Sequence, residues 1–85
     1  MRIERTEQFK RDFISLPESL KRRTEKQLRL LMENPRHPSL RIRKMEDPRN
    51  IWEGRVTKGY RFTFQVQGDT CLLRRIGTHG ILKTP

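Results

Sequence analysis

Residues 51–66 read IWEGRVTKGYRFTFQV, and this stretch decides the fold. Over residues 51–57 the side chains alternate, with Trp52, Gly54 and Val56 on one face and Glu53 and Arg55 on the other. Lys58-Gly59 makes a tight turn. Beyond it Tyr60, Phe62, Phe64 and Val66 share a face opposite Arg61, Thr63 and Gln65. A period of two marks a strand buried on one side. Gly68-Asp69 turns the chain again into residues 70–76, so three strands joined by short turns form an antiparallel meander.

Upstream the period lengthens. Phe9 and Phe13 stand four apart behind Thr6, which suits a helix N-cap with Glu7 in the first turn. Ser15-Leu16-Pro17-Glu18 has the S-x-x-E form of a capping box for a second helix. Leu20, Thr24, Leu28 and Leu31, flanked by Gln27 and Met32, stripe one side of that helix; Lys21, Arg22, Arg23, Lys26 and Arg29 occupy the others. Asn34-Pro35 ends it. A strand is allowed at residues 2–5, and residues 41–45 alternate briefly. The aromatic face of the meander must be covered, and the helical hairpin is the only cover available. The expected class is α+β. An N-terminal helical hairpin packs on a curled, mainly antiparallel β-sheet in the order β-α-α-β-β-β, as one domain over residues 1–85.

Composition bounds the function. The 85 residues carry 20 Lys plus Arg against 10 Asp plus Glu, a formal charge of +10, with 32% hydrophobic residues. A chain this short holds one core and buries roughly 60–65% of its unfolded surface. The charge points to a polyanionic partner: nucleic acid, an acidic protein or an anionic membrane. No apolar run exceeds three residues, against roughly 20 needed to span a bilayer. The opening residues lack the apolar core of a secretory signal. Cys71 has no cysteine to pair with, so a reducing cytoplasmic setting is expected. One Cys and two His (His37 and His79) supply no zinc-ligand spacing, and no cofactor is implied.

With helices over the Trp52/Phe62/Phe64 face, the opposite face presents Glu53, Arg55 and Arg61. Strict alternation through the last strand would turn Arg74 inward beside Ile76. The same alternation leaves Arg75 on the open face; a bulge or an edge position would relieve the burial of Arg74, which is left unassigned. Gly77-Thr78-His79-Gly80 follows and sets a histidine beside the arginines. Arginine clamps a phosphate and stabilises charge in the transition state. Histidine protonates a leaving oxygen near neutral pH. Three cations, a carboxylate and an imidazole are thus the parts for phosphodiester chemistry. Arg41, Arg43, Lys44, Lys58 and Lys83 remain as docking cations for RNA. His37, in a loop between Arg36 and Pro38, is given no role.

The ordered set Trp52-Glu53-Gly54-Arg55-Val56, Gly59-Tyr60-Arg61-Phe62-Thr63-Phe64 and Arg75-Ile76-Gly77-Thr78-His79 resembles the RelE/ParE superfamily of bacterial and archaeal toxins. The likeness covers nearly the whole chain, and its Arg-x-Gly-Thr-His ending is most similar to the RelE- and YafQ-like side. The resemblance implies a toxin held inactive by an acidic, partly disordered antitoxin. It also implies metal-free cleavage of mRNA, commonly on the ribosome. By the same resemblance Arg61 contacts the scissile phosphate, Arg75 is the basic residue two before the glycine, and His79 is the acid that protonates the 5′ oxygen. This sequence departs from RelE where that toxin has two lysines, since Trp52 and Gly54 stand there. It also lacks the carboxy-terminal tyrosine. No carboxylate or histidine base lies in residues 38–45, which leaves Glu53 as the candidate base.

The expected function is therefore a toxin of a type II toxin–antitoxin system, an mRNA endoribonuclease that inhibits translation. In its mechanism the 2′-hydroxyl attacks the neighbouring phosphate, Arg55 and Arg61 hold the non-bridging oxygens, Arg75 supports them and His79 is the general acid. Two alternatives share the fold and the charge: a ParE-type inhibitor of DNA gyrase, and an inactive relative that only binds its antitoxin.

Overall fold

The computed structural model describes residues 2–85. Its elements run β1 (Arg2–Arg5), α1 (Glu7–Ile14), α2 (Glu18–Glu33), a 3-10 turn (Pro38–Leu40), β2 (Arg43–Lys44), β3 (Trp52–Thr57), β4 (Tyr60–Gln67), β5 (Thr70–Thr78) and a second 3-10 turn (His79–Lys83). The strands form one sheet in the order β1-β5-β4-β3-β2. β1 pairs parallel with β5 and every other pairing is antiparallel. The α+β architecture expected from the period change is thus the one formed, with a mixed sheet because the N-terminal strand joins the last one. No helix among the described residues is long and apolar enough to cross a membrane.

Helix entry follows the chemistry of Thr6 but not that of Ser15. Thr6 Oγ1 accepts the Phe9 N–H at 3.0 Å and donates to the Arg74 carbonyl at 2.9 Å, so one hydroxyl caps α1 and ties it to β5. The capping box expected at Ser15-x-x-Glu18 does not form. Ser15 is the C-cap of α1, and its hydroxyl donates back to the Arg11 carbonyl. Pro17, fixed in extended backbone, takes the N-cap of α2 with no side-chain hydrogen bond. The proline thereby starts the helix two residues beyond the N-cap position that the box would give to Ser15.

Phe9, Leu28, Leu31, Leu40, Phe62, Phe64, Leu73 and Ile76 close the main core between helices and sheet. Burying each such side chain contributes about 1.5–3 kcal/mol. Thr24 on the helical stripe is buried as well and spends its hydroxyl on the Leu20 carbonyl. The tip of the Phe62 ring lies against Gly54, where an added Cβ would collide with Cζ and Cε1. Val66 shares the aromatic face by alternation, yet is 46% exposed near the Gly68–Asp69 turn. Gly68 takes φ 59 there, the left-handed backbone that glycine adopts without a Cβ penalty.

Two register shifts interrupt the ladder. One falls between Arg55 and Thr57, leaving Val56 unpaired. In the other, Thr63 faces Arg75 while Phe64 faces Leu73, so Arg74 is the extra residue. This bulge lets Cys71 and Leu73 and then Ile76 all enter the core. Arg74 escapes burial in apolar surroundings by donating to the Pro85 carbonyl at 3.0 Å and to Gln65 Oε1 at 2.9 Å.

Candidate functional site

The face opposite the helices is only partly open. Gly77 has no side chain, and a Cβ there would stand 2.8 Å from Ile81 Cγ2, so the C-terminal 3-10 turn folds closely onto β5. Ile51 and Ile81 are buried but stand outside the main core, and Thr63 and Glu53 are buried on the same side of the sheet. A small second apolar layer therefore covers part of a face expected to be exposed throughout.

Where this cover stops, β2, β3, β4 and the start of the last 3-10 turn bound a cleft of about 440 Å³. Arg41, Arg43, Glu53, Arg55, Arg61 and His79 line it. Arg61 is held firmly: its Nη1 donates to the carbonyls of Thr57 at 2.9 Å, Lys58 at 3.1 Å and Tyr60 at 3.3 Å. Its Nε lies 4.0 Å from Glu53 Oε1, while Glu53 Oε2 accepts from Arg43 Nη2 at 3.2 Å. Arg55 and Arg61 stand directly opposite each other in the β3–β4 register. Like charges so placed repel. Arg55 Nε is moreover buried without a hydrogen-bond partner among the described residues. An unsatisfied buried donor costs about 1–3 kcal/mol. Arg41 reaches the cleft from left-handed backbone at φ 48, a conformation that costs a non-glycine residue on the order of 1 kcal/mol or more. Repulsion, an orphaned donor and backbone strain converge at one place. An anion seated between Arg55 and Arg61 would relieve the first two.

The structure thus brings Arg55, Arg61, His79 and Glu53 together and adds Arg41 and Arg43, which sequence alone assigns only to docking. Glu53 is not the open-face base expected. Its side chain is only 8% exposed and is turned to Arg43 and Arg61, so it orients two arginines instead of facing a substrate hydroxyl. Arg75 is also displaced from its expected role. Its Nε donates to Asp12 Oδ2 at 2.8 Å and its Nη1 to the Thr84 carbonyl at 3.1 Å. With Arg74 and Lys83 it lines a different cleft, on the side of α1. Lys58 faces a third cleft, and Lys44 lies exposed on β2.

Asp12 and Gln27 give no local signal in the sequence because their partners are distant in the chain. Gln27 donates to the Arg55 carbonyl at 2.9 Å and fixes β3 to α2. Burial alone would raise the Asp12 carboxyl, but hydrogen bonds from Arg75, Gln8 and the Ile76 N–H outweigh it and hold the pKa below the usual carboxylate value. A lowered carboxyl contributes stability that is complete above the unfolded-state pKa and is lost as pH falls through the folded one. Asp12→Asn is expected to cost about 2–3 kcal/mol near neutral pH, the scale of charged hydrogen bonds. Urea unfolding of variant and wild type checks this, and the gap between them should narrow on acidification to about pH 3.

A helical hairpin on a mixed five-stranded sheet is the fold this chain shares with solved toxins of the YafQ, YoeB/ParE and RelE kinds. YafQ from E. coli strain BL21(DE3) has TM-score 0.79 at 18% identity, over 96% of this chain and 98% of that one. The YoeB/ParE toxin from Agrobacterium tumefaciens has TM-score 0.78 at 15% identity, over 93% and 99%. RelE from the archaeal RelE–RelB complex of Pyrococcus horikoshii OT3 has TM-score 0.75 at 19% identity, over 93% and 94%. No family model and no curated protein matches the sequence.

Proposed function

We propose that this protein is the toxin of a type II toxin–antitoxin system and acts as an mRNA endoribonuclease in the cytoplasm. The observation that carries the reading is the cross-strand pair Arg55/Arg61, with the Arg55 Nε buried and unpartnered and His79 beside it in the cleft. Such a pair holds the two non-bridging oxygens of a phosphodiester. The 2′-hydroxyl attacks its own phosphorus and gives up its proton to water. The bond to the 5′ oxygen breaks as His79 protonates that oxygen, leaving a 2′,3′-cyclic phosphate and a 5′-hydroxyl. Glu53 keeps Arg61 and Arg43 in place. Without a side-chain base the reaction is slow unless the RNA is held in line, a service that a translating ribosome provides. Arg41, Arg43 and Lys44 extend the positive surface for the RNA backbone, with Lys83 further off on the α1 side.

The net charge of +10 calls for a neutralising partner, and the proposed one is an acidic antitoxin. Support comes from two proteins of this fold that were solved with partners, in the DinJ–YafQ and RelE–RelB complexes. The test is primer extension on mRNA in a translating extract, with the product ends identified chemically. Cleavage leaving cyclic phosphate ends supports the reading. An intact message together with inhibited DNA gyrase supercoiling would overturn it in favour of the gyrase alternative.

A further inference from the structure

Arg55 lines two clefts, and the second one has no place in the mechanism above. It measures about 810 Å³ and runs between α2, the loop before β2 and the end of β3. Besides Arg55 it is lined by Arg23, Lys26, Lys58, His37 and Ser39. No carboxylate borders it. Glu25, on α2 between Arg23 and Lys26, lines the grooves on the β1 side instead. Elsewhere on the helices cations do find acids, as in Lys10–Glu7 and Lys21–Glu18. Arg23, Lys26, Arg55 and Lys58 form no ion pair among the described residues. Arg23 and Lys26 are also three apart on one helix, a spacing at which like charges repel. His37 Nδ1 accepts the Ser39 N–H at 3.1 Å, so the ring proton sits on Nε2 and the imidazole is a fixed donor. Three unpaired cations, Arg23, Lys26 and Lys58, and an oriented imidazole in an acid-free channel suit successive phosphates of a flexible strand.

We propose that this channel is a second RNA subsite, which takes the phosphates flanking the one cut in the Arg55/Arg61 cleft. It rests on the endoribonuclease reading. Arg55 stands at the border of both clefts: its side chain faces the first, and its carbonyl, which accepts from Gln27, lies toward the second. The channel thus gives affinity for longer RNA and leaves the chemical step untouched. For a single strand, each phosphate no longer neutralised by a cation makes the slope of log K against log salt shallower by about 0.7.

The test uses Arg23→Ala/Lys26→Ala/Lys58→Ala, all exposed positions whose truncation leaves the thermal midpoint unchanged. Fluorescence anisotropy compares an uncleavable 2′-O-methyl RNA octanucleotide with a trinucleotide. The triple variant should bind the octanucleotide on the order of tenfold more weakly, with a salt slope shallower by about 2. Trinucleotide binding should hold. An unaltered octanucleotide affinity, with RNA cleavage intact, overturns the subsite alone. Equal losses for an oligoglutamate of matching charge overturn it in favour of a surface for acidic protein. If the wild type neither binds nor cuts RNA, the reading beneath the proposal falls too.

Discussion

His79→Ala should slow RNA cleavage by roughly 10²–10⁴-fold, the span a positioned general acid contributes. Arg55→Ala should slow it by roughly 10²–10³-fold, as removal of one preorganised donor to a developing oxyanion does. The Arg55 effect belongs in kcat, because the phosphate draws its donors closer as charge builds on the non-bridging oxygens. Arg55→Lys keeps the charge but not the planar fork, and should recover only part of the rate. Arg61→Ala is the poorer probe. Its Nη1 ties together the carbonyls of Thr57, Lys58 and Tyr60, so that variant loosens the β3–β4 turn along with any hold on the phosphate. Rates measured on one message with ribosomes present, and the fold checked by circular dichroism, decide the matter. Full cleavage by both His79→Ala and Arg55→Ala would remove the assignment.

Gly54→Ala should be among the most destabilising single-methyl changes in the molecule. The added carbon would collide with Cζ and Cε1 at the tip of the Phe62 ring, which is fully buried and packs against Phe64 at a centroid distance of 5.7 Å. Neither the ring nor the strand can yield without opening the core. Overpacking of this kind typically costs about 1–3 kcal/mol, and backbone displacement takes it to the upper end or beyond. In a domain of this size each kcal/mol lowers the melting temperature by about 4–8 °C, so a drop of more than about 10 °C is expected. Gly59→Ala is the control, since nothing lies within 4 Å of the Cβ it would add. Shrinking the ring in Gly54→Ala/Phe62→Leu should restore part of the stability; a double variant less stable than Gly54→Ala would refute the clash as its cause.

Local periodicity carries most of the architecture. The alternation around Trp52 and Phe62, the two short turns and the helical stripe from Leu20 to Leu31 each depend on neighbours within a few residues, and each is present in the fold. What sequence could not supply were contacts between distant segments. Glu53 is buried against Arg43 and Arg61 on neighbouring strands, and Arg75 is held by Asp12 across 63 positions. Alternation places Glu53 on the face where it is found without revealing what else arrives there, and it does not foresee that Arg75 is drawn to Asp12 on the side of α1. Strict alternation would bury a guanidinium beside Ile76, which signals an irregularity at Arg74, but alternation alone does not decide between a bulge and an edge position; the structure has the bulge. The strained backbone of Arg41 was not foreseeable, because arginine gives no local signal for it. The capping-box pattern misleads for a simple reason: Ser15 is already engaged by the helix behind it.

The position of β5 has a consequence for how the protein comes into being. Paired with β1 on one side and β4 on the other, it is the last strand of the sheet to leave the ribosome and joins the first strand to the meander. Until it emerges, β1 has no partner, and His79, which directly follows it, is not yet in the cleft. On the proposed function, a nascent chain holds Arg55 and Arg61 without the acid at His79. The proposed nuclease would then be incomplete until synthesis has passed the final strand, and the proposed partner would have that interval in which to meet it.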